Sequence, residues 1–242
     1  MVSYERNPSK ETDPMGAGKL LNFTFLQEHA YEYLRNQILA GNLSYDVIYS
    51  ESQIAKEIGC SRTPVKDALT RLHHDRYIDI IPSKGFILHK FTQKDILDTF
   101  QIRVALESFC VISIMRARDT QEGKSTIAAL QGFIHNLESL ANTDCVKDYL
   151  ANDLQFHKCI VDFVPNDDFR ELYDSHNYRI ENFAYKSLQT EARRIAAHNE
   201  HRKILKAIET GGIEGCYEAV TEHNINTYQN DIQIISREFG SI

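Results

Sequence analysis

Three histidines that continue apolar stripes of helical spacing are the residues of this chain best suited to chemistry. His157, His201 and His223 lie in three separate segments, and each is expected to point into a core. Asp153 stands one helical turn before His157 and shares its face. A buried ionisable side chain must be paired or bound to a metal. The four residues form an Asp-His-His-His set, which suits Zn, Ni, Mn or Fe(II) with coordination positions left open.

Other interpretations of these histidines remain open. A single inward histidine is commonly a core residue hydrogen-bonded to a carbonyl, but three of them with an aspartate favour a shared divalent metal ion. A metal with open positions also activates water, so a metal-dependent hydrolase or lyase is the alternative function. That alternative needs a general base, and no HExxH motif or second carboxylate accompanies the set. A structural zinc that binds no effector is the third possibility.

A second candidate site lies in residues 59–72, which read GCSRTPVKDALTRL. Proline is tolerated in the first turn of a helix, so Pro64 marks a helix start with Ser61 as its N-cap. Three apolar residues then share one face: Val65, Leu69 and Leu72. The N-terminal end of this helix is left polar and cationic, and it is expected to face something outside the fold.

The elements around this helix predict a winged helix-turn-helix. A helix over residues 25–40 ends at Gly41, and a short helix capped by Ser50 ends at Gly59. The tight turn GCS joins that short helix to the helix with Pro64. Two short apolar runs around residues 82–85 then predict a small β-hairpin.

A helix-turn-helix places the N-terminal end of its second helix in the major groove, where an arginine reads guanine with two hydrogen bonds. Arg62 occupies that end, and Lys84 lies at the hairpin tip, within reach of a neighbouring phosphate or the minor groove. The alternative is that these charges form a solvated helix face. The full set of candidate DNA-binding residues is Arg35, Ser61, Arg62, Thr63, Lys66, Arg71 and Lys84.

From Thr92 onward the sequence predicts an all-α helical bundle. Segments that start near Thr92, Gln121, Val146, Asp167, Glu191 and Ile213 have 3.6-residue apolar periods. The fold is thus expected to be mainly α, with a disordered leader over residues 1–18, the winged helix-turn-helix over 19–91 and the bundle over 92–242.

Composition and charge exclude several classes of protein. No apolar run reaches the roughly 18 residues of a membrane span, and the N-terminus lacks a signal-peptide centre, so a cytoplasmic protein is expected. Five scattered cysteines without a CxxC pair indicate neither a disulfide framework nor a zinc ribbon. The net charge is −7, but residues 19–91 have +1, so that part tolerates a phosphate backbone better than the remainder.

Residues 25–90 resemble the winged-helix domain of GntR transcription regulators. The resemblance rests on SRTPVK (residues 61–66) and ALTRL (residues 68–72). Two positions depart from the family pattern: Lys66 stands where arginine is usual, and Ser52 stands where some members have arginine. Lysine lacks the bidentate geometry of arginine, so these departures affect which operator is read rather than DNA binding itself.

Residues 92–235 are similar to the FCD ligand-binding domain of the FadR branch of this family. The metal positions of that domain fall on Asp153, His157, His201 and His223. The resemblance implies a bound metal whose open positions accept a small carboxylate effector, since the acyl-CoA-sensing members lack this set. Arg103, in the matching run RVALE, and Arg179 are effector-binding candidates, although a helical ion pair with Glu107 is the preferred reading of Arg103.

The predicted function is therefore a one-component transcription regulator and not an enzyme. A homodimer would bind a two-fold symmetric double-stranded DNA operator, because a symmetric dimer presents two half-sites at fixed spacing. The effector would favour one arrangement of the two reading heads over the other. Release of DNA on effector binding, and hence repression, is the expected direction of control.

Overall fold

A computed structural model describes the backbone of residues 14–239 and the side chains of residues 25–237. These residues form two compact units that divide after His89. The first unit contains α1 (Pro14–Leu39), α2 (Glu51–Ile58), α3 (Arg62–His74), β1 (Ile78–Ile81) and β2 (Gly85–Leu88). The second contains α4 (Gln93–Arg116), α5 (Gln121–Leu140), α6 (Val146–Asp162), α7 (Asp167–Asp174), α8 (Asn177–Ser187), α9 (Glu191–Thr210) and α10 (Ile213–Phe239).

The first unit is the predicted three-helix module with a hairpin. α1 packs against α3, and its apolar stripe at Ala30, Leu34 and Ile38 is buried. The apolar face of α3 is buried as expected, since Val65, Leu69 and Leu72 are at most 2% exposed. Burying each of these side chains stabilises the folded state by about 1.5–3 kcal/mol. This preference determines which face of α3 is exposed to solvent.

The hairpin is an antiparallel pair in which Ile78 lies opposite Leu88 and Ile81 lies opposite Gly85. Tyr49 adds an isolated bridge to Phe86 through two backbone hydrogen bonds of 2.8 and 3.0 Å. Gly85 has a φ of +133°, a region open to glycine but strained for other residues. The hairpin is thereby anchored to the segment that enters α2.

The second unit is the predicted all-helical bundle. α10 packs along α4, and α5 packs along α6 and α9. One apolar cluster unites α4, α5, α6, α9 and α10; its fully buried members include Val111, Leu130, Phe156, Ile204 and Val220. Thr92 and Asp95 form the expected capping box at the start of α4. The mainly α fold class is confirmed.

The structure differs from the sequence predictions in several local features. α1 begins at Pro14 rather than Phe25, with a proline at the first helical position, where its missing N–H costs no intrahelical hydrogen bond. The predicted leader over 1–18 lies outside the described residues except for 14–18, whose backbone is helical. Ser50 and Ser61 occupy N-cap positions, but neither side chain makes a capping hydrogen bond. α8 is a separate helix that the apolar periodicity did not divide from α7.

Candidate functional site

The three inward histidines meet in the core of the second unit. His157 comes from α6, His201 from α9 and His223 from α10, and their side chains are at most 3% exposed. One ring nitrogen from each histidine can be chosen so that all three nitrogens lie within 4.8 Å of one another. The sequence pattern therefore predicted a real convergence of three imidazoles, and we call these residues the histidine cluster.

The surroundings of the two ring nitrogens differ in His157 and in His223. Nε2 of His157 lies 3.2 Å from Nε2 of His201. On the other side of the rings, Nδ1 of His157 lies 3.3 Å from Glu107 Oε2, and Nδ1 of His223 lies 2.8 Å from Glu200 Oε2. The hydrogen bond between Nδ1 of His223 and Glu200 leaves Nε2 of His223 as the nitrogen with an available lone pair.

Asp153 borders the histidine cluster. Its side chain is buried on α6, one turn before His157, and its Oδ1 lies 3.5 Å from Nε2 of His201. All four residues predicted as metal ligands thus come together in one region. The group of mutually close atoms consists of the histidines, with the carboxylate at its edge.

Burial keeps two of the imidazoles neutral. The pKa of His201 is lowered well below its usual value by burial and by its neighbours His223 and His157. Burial also lowers the pKa of His223, although the hydrogen bond with Glu200 opposes the shift. Neutral imidazole is the form that binds metal ions, so burial favours the ligating state.

Two glutamates that the sequence interpretation did not assign to the site surround the cluster. Glu107 is held by Arg103, whose Nε lies 2.7 Å from its Oε1, and Glu200 is held by Arg193 at 2.9 Å. Burial raises the pKa of Glu200, but hydrogen bonds from His223 and Arg193 outweigh it and lower that pKa to about 2. Both carboxyls are therefore charged. Glu107 was predicted only as an ion-pair partner, and nothing in the spacing of Glu200 distinguishes it from a surface residue.

Arg103 and Arg179, the predicted effector-binding residues, have different surroundings. Arg103 is 6% exposed and lines a cavity of about 20 Å³ together with Asp153 and His223. Its Nη2 has no hydrogen-bond partner within residues 25–237. Nη2 of Arg179 instead lies 3.9 Å from Oδ1 of Asp95. The geometry therefore places Arg103, rather than Arg179, beside the histidine cluster.

In the first unit, the N-terminal end of α3 is exposed as predicted. Ser61, Arg62, Thr63 and Lys66 are all exposed, whereas Pro64 is buried. The Arg62 side chain is 68% exposed and lies 3.3 Å from Glu51. An exposed ion pair of this kind contributes little, so the guanidinium can exchange Glu51 for another partner.

The remaining cationic candidates are distributed over the same unit. Lys84 is exposed at the hairpin turn. Arg35 donates from Nε to the hydroxyl of Tyr77, and Arg71 donates to Glu28 and lies 4.1 Å from the centre of the Tyr31 ring. These internal contacts make Arg35 and Arg71 less available to a ligand than Arg62 or Lys84.

Comparison with known families accounts for both units. The profile of bacterial regulatory proteins of the gntR family matches residues 26–88, and the FCD domain profile matches residues 98–226, more than half of the chain. The chain belongs to the GntR family. Its first unit is the DNA-binding domain of that family and its second unit is an FCD domain.

Relatives of this GntR-family protein are transcription regulators. The HTH-type transcriptional regulator YdhC of Bacillus subtilis (strain 168) is 24% identical over 80% of this chain and 85% of that protein. The gluconate operon transcriptional repressor of the same organism is 23% identical over 66% of this chain and 63% of that protein. The solved structure of Escherichia coli McbR/YncC has a TM-score of 0.67 at 19% identity, covering 88% and 98% of the two chains, and has the same fold.

Family membership settles the class of function. The protein is a DNA-binding transcription regulator, and the hydrolase or lyase alternative is not supported because the family and the matched relatives are regulators rather than enzymes. Among the described residues, no helix is long and apolar enough to cross a membrane.

Proposed function

We propose that this protein is a metabolite-controlled repressor in which a small carboxylate, bound at a metal ion in the second unit, changes affinity for a DNA operator. The observation that supports the proposal is the histidine cluster: three buried imidazoles from three helices converge. Glu200 Oε2 is hydrogen-bonded to Nδ1 of His223, and Glu107 Oε2 lies 3.3 Å from Nδ1 of His157.

The residues fit a divalent metal ion. Three imidazoles with a neighbouring carboxylate suit Zn, Ni, Mn or Fe(II), and the ion would be held by His157, His201, His223 and Asp153. Without an ion, the contact between Nε2 of His157 and Nε2 of His201 is favourable only if one of the two nitrogens carries a proton. The orienting carboxylates of Glu107 and Glu200 match the usual pattern around metal-binding histidines.

The effector would be a small acid. A bound metal supplies a Lewis-acidic centre whose open positions take carboxylate oxygens. Arg103 is placed to assist, because it lines the cavity beside His223 and its Nη2 lacks a hydrogen-bond partner in the described part of the chain. A guanidinium that already holds Glu107 through Nε can still donate to an anionic ligand from its other nitrogens.

The DNA-binding half of the proposal rests on the exposed end of α3. Arg62 would read a base edge in the major groove, and Ser61, Thr63, Lys66 and Lys84 would position the unit on the backbone. A homodimer would place two such ends on a two-fold symmetric operator. A protein with this task works in the cytoplasm, where the DNA is.

Repression is the proposed direction of control. Several relatives are named as repressors, including the gluconate operon repressor described above. In this arrangement the effector binds the DNA-free geometry better than the DNA-bound one, and so it lowers the affinity for the operator. The size of this decrease is set by the ratio of the effector's affinities for the two geometries.

Selection of genomic DNA fragments by the purified full chain tests this proposal. The wild type is expected to enrich a two-fold symmetric sequence, and Arg62→Ala is expected to lose that preference at matched salt, because only base contacts specify sequence. Arg116→Ala removes an exposed arginine of the second unit and serves as the control with unchanged selection. If the wild type and Arg62→Ala enrich the same sequence with equal affinity, the role assigned to α3 is wrong.

A further inference from the structure

A second cavity lies beside the one that borders the histidine cluster. Both have a volume of about 20 Å³, and they share Arg103, Ala184 and Thr227 as lining residues. The first cavity reaches Asp153 and His223, and the second reaches Asn224 and Asp231 on α10. Arg103 therefore stands between the histidine cluster and this second cavity, which we call the second chamber.

Asp231 contributes a carboxyl group to the lining of the second chamber. Its side chain is 4% exposed, and its Oδ1 has no hydrogen-bond partner within the part of the chain whose side chains are described. Asn224 lies seven residues earlier on the same face of α10, but it donates to Glu107 and to the carbonyl of Val220. The rest of the chamber is mostly apolar, with Ile96, Phe100, Ile180 and Phe183 in its wall.

A buried carboxyl oxygen without a hydrogen-bond partner lowers the stability of the folded state. Burial raises the pKa of Asp231 to about 7, even though Arg103, Arg193 and Lys186 favour its charged form. An apolar residue of similar size would fill the same space without this cost. The carboxyl is thus available to accept a hydrogen bond from whatever enters the chamber.

We propose that Asp231 is a specificity-determining residue that selects carboxylate effectors with a hydroxyl or amino group over those without one. The effector carboxylate lies toward the metal and Arg103, and the hydroxyl or amino group donates to Oδ1 of Asp231 in the second chamber. This inference rests on the proposed function, since it names the chemical class of the effector. A chamber of about 20 Å³ accommodates a group the size of a water molecule, which matches a hydroxyl or an ammonium group.

The selectivity follows from the cost of leaving Asp231 unpaired. An effector that bears the donor satisfies the buried oxygen, whereas the unsubstituted acid of equal length displaces solvent and leaves the oxygen without a partner. Sites built to bind a hydroxyl or amino group discriminate strongly against analogues that lack it. We expect at least about tenfold tighter binding of the substituted acids.

Calorimetric titration of the zinc-loaded full chain with matched acids tests this inference. The probes form sets of equal length: propionate, lactate and β-alanine; butyrate, 4-hydroxybutyrate and 4-aminobutyrate; succinate, malate and aspartate. In at least one set, the wild type should bind a substituted member at least about tenfold more tightly than the unsubstituted one. Asp119→Asn changes an exposed aspartate between α4 and α5 and should keep that ratio.

Two substitutions at the same position separate the accepting oxygen from the charge. Asp231→Leu removes both oxygens at similar size and should bring the ratio close to one. Asp231→Asn retains an accepting oxygen without the charge, so it should preserve the preference for the hydroxyl acid and reduce the preference for the amino acid.

The outcomes distinguish this inference from the proposed function. If the wild type binds substituted and unsubstituted acids equally, or Asp231→Leu keeps the ratio, the role of Asp231 is overturned while the carboxylate site stands. If the wild type binds no acid of any set, the proposed carboxylate effector fails and this inference fails with it.

Discussion

Nδ1 of His223 and Oε2 of Glu200 are 2.8 Å apart in the core of the FCD domain. A carboxylate accepts hydrogen bonds and does not donate them, so the proton of the neutral imidazole must be on Nδ1. Arg193 and Asn226 hold the same carboxylate at 2.9 Å each. This chain of contacts fixes the tautomer of His223 with its lone pair on Nε2, ready to bind a metal ion.

Glu200→Gln should lower metal affinity by about 10- to 100-fold, because the amide no longer enforces the Nδ1–H tautomer or supports the imidazole electrostatically. Competition of the full chain with a chelator for Zn²⁺ measures the change. Glu218→Gln, at an exposed position on the same helix as His223, is the control and should leave affinity unchanged. Equal affinity of Glu200→Gln and wild type would show that this contact only stabilises packing.

His201→Ala should abolish stoichiometric metal binding, since it removes the central member of the histidine cluster. Metal content per chain after dialysis against trace Zn²⁺ and Ni²⁺ gives the result directly. His135→Ala removes an exposed histidine and should retain the wild-type content. Full metal content in His201→Ala would mean that the three imidazoles do not form the metal site.

The helical periodicity of the sequence was sufficient to predict the inward direction of the three histidines and the helices of both units, except for the start of α1 and the separate helix α8. A residue that interrupts an apolar stripe with an ionisable group is visible in sequence, as His157 and His201 are. The hairpin was equally predictable, because Pro82 and Gly85 mark a turn between two apolar runs.

The partners of those histidines were not predictable from spacing. Glu107 and His157 are 50 positions apart on different helices, so only helix packing shows that they meet. Asp231 is similarly hidden, because it looks like any acidic residue on a long amphipathic helix until α4 and α8 cover it. Apolar periodicity indicates which face of a helix is buried, but it does not indicate which polar side chains of different helices contact one another in the core.

Arg103→Met should destabilise the FCD domain by about 3 kcal/mol, because Glu107, which is 1% exposed, loses its main cationic partner. Urea unfolding of the metal-free protein measures the change. Lys94→Met breaks an exposed pair with Asp98 at the same i, i+4 spacing on the same helix. That control should cost less than about 1 kcal/mol. Equal effects of the two substitutions would show that burial adds nothing to the Arg103 pair.

Asp231→Asn should become more stable relative to wild type as the pH rises from about 4 to 7. The folded-state pKa of Asp231, about 7, lies above the ordinary aspartate value of 3.8, so the folded wild type binds the extra proton in this window and loses stability as it is released. Each pKa unit corresponds to about 1.4 kcal/mol.

Urea unfolding of both proteins at four pH values, with chelator present, measures this difference. The histidines are common to both proteins and contribute equally to their stabilities, so the difference isolates Asp231. Asp119→Asn, at an exposed position, should show a nearly constant difference from wild type. A constant difference for Asp231→Asn as well would contradict the raised pKa.

Gly85→Ala should detach the hairpin from the segment before α2 and weaken operator binding. Glycine is required at this position because φ is +133° and because a Cβ there would overlap the carbonyl of Tyr49. The free energy of folding of the first unit should become less favourable by at least about 2 kcal/mol, since the clash is with backbone and cannot be relieved by a rotamer change.

Hydrogen exchange at the amides of Tyr49 and Phe86, which pair with each other's carbonyls, reports the loss directly. Gly212→Ala is the control, because a Cβ there meets open space. Wild-type protection of both amides in Gly85→Ala would mean that the hairpin accommodates the methyl group and keeps its hydrogen bonds to Tyr49.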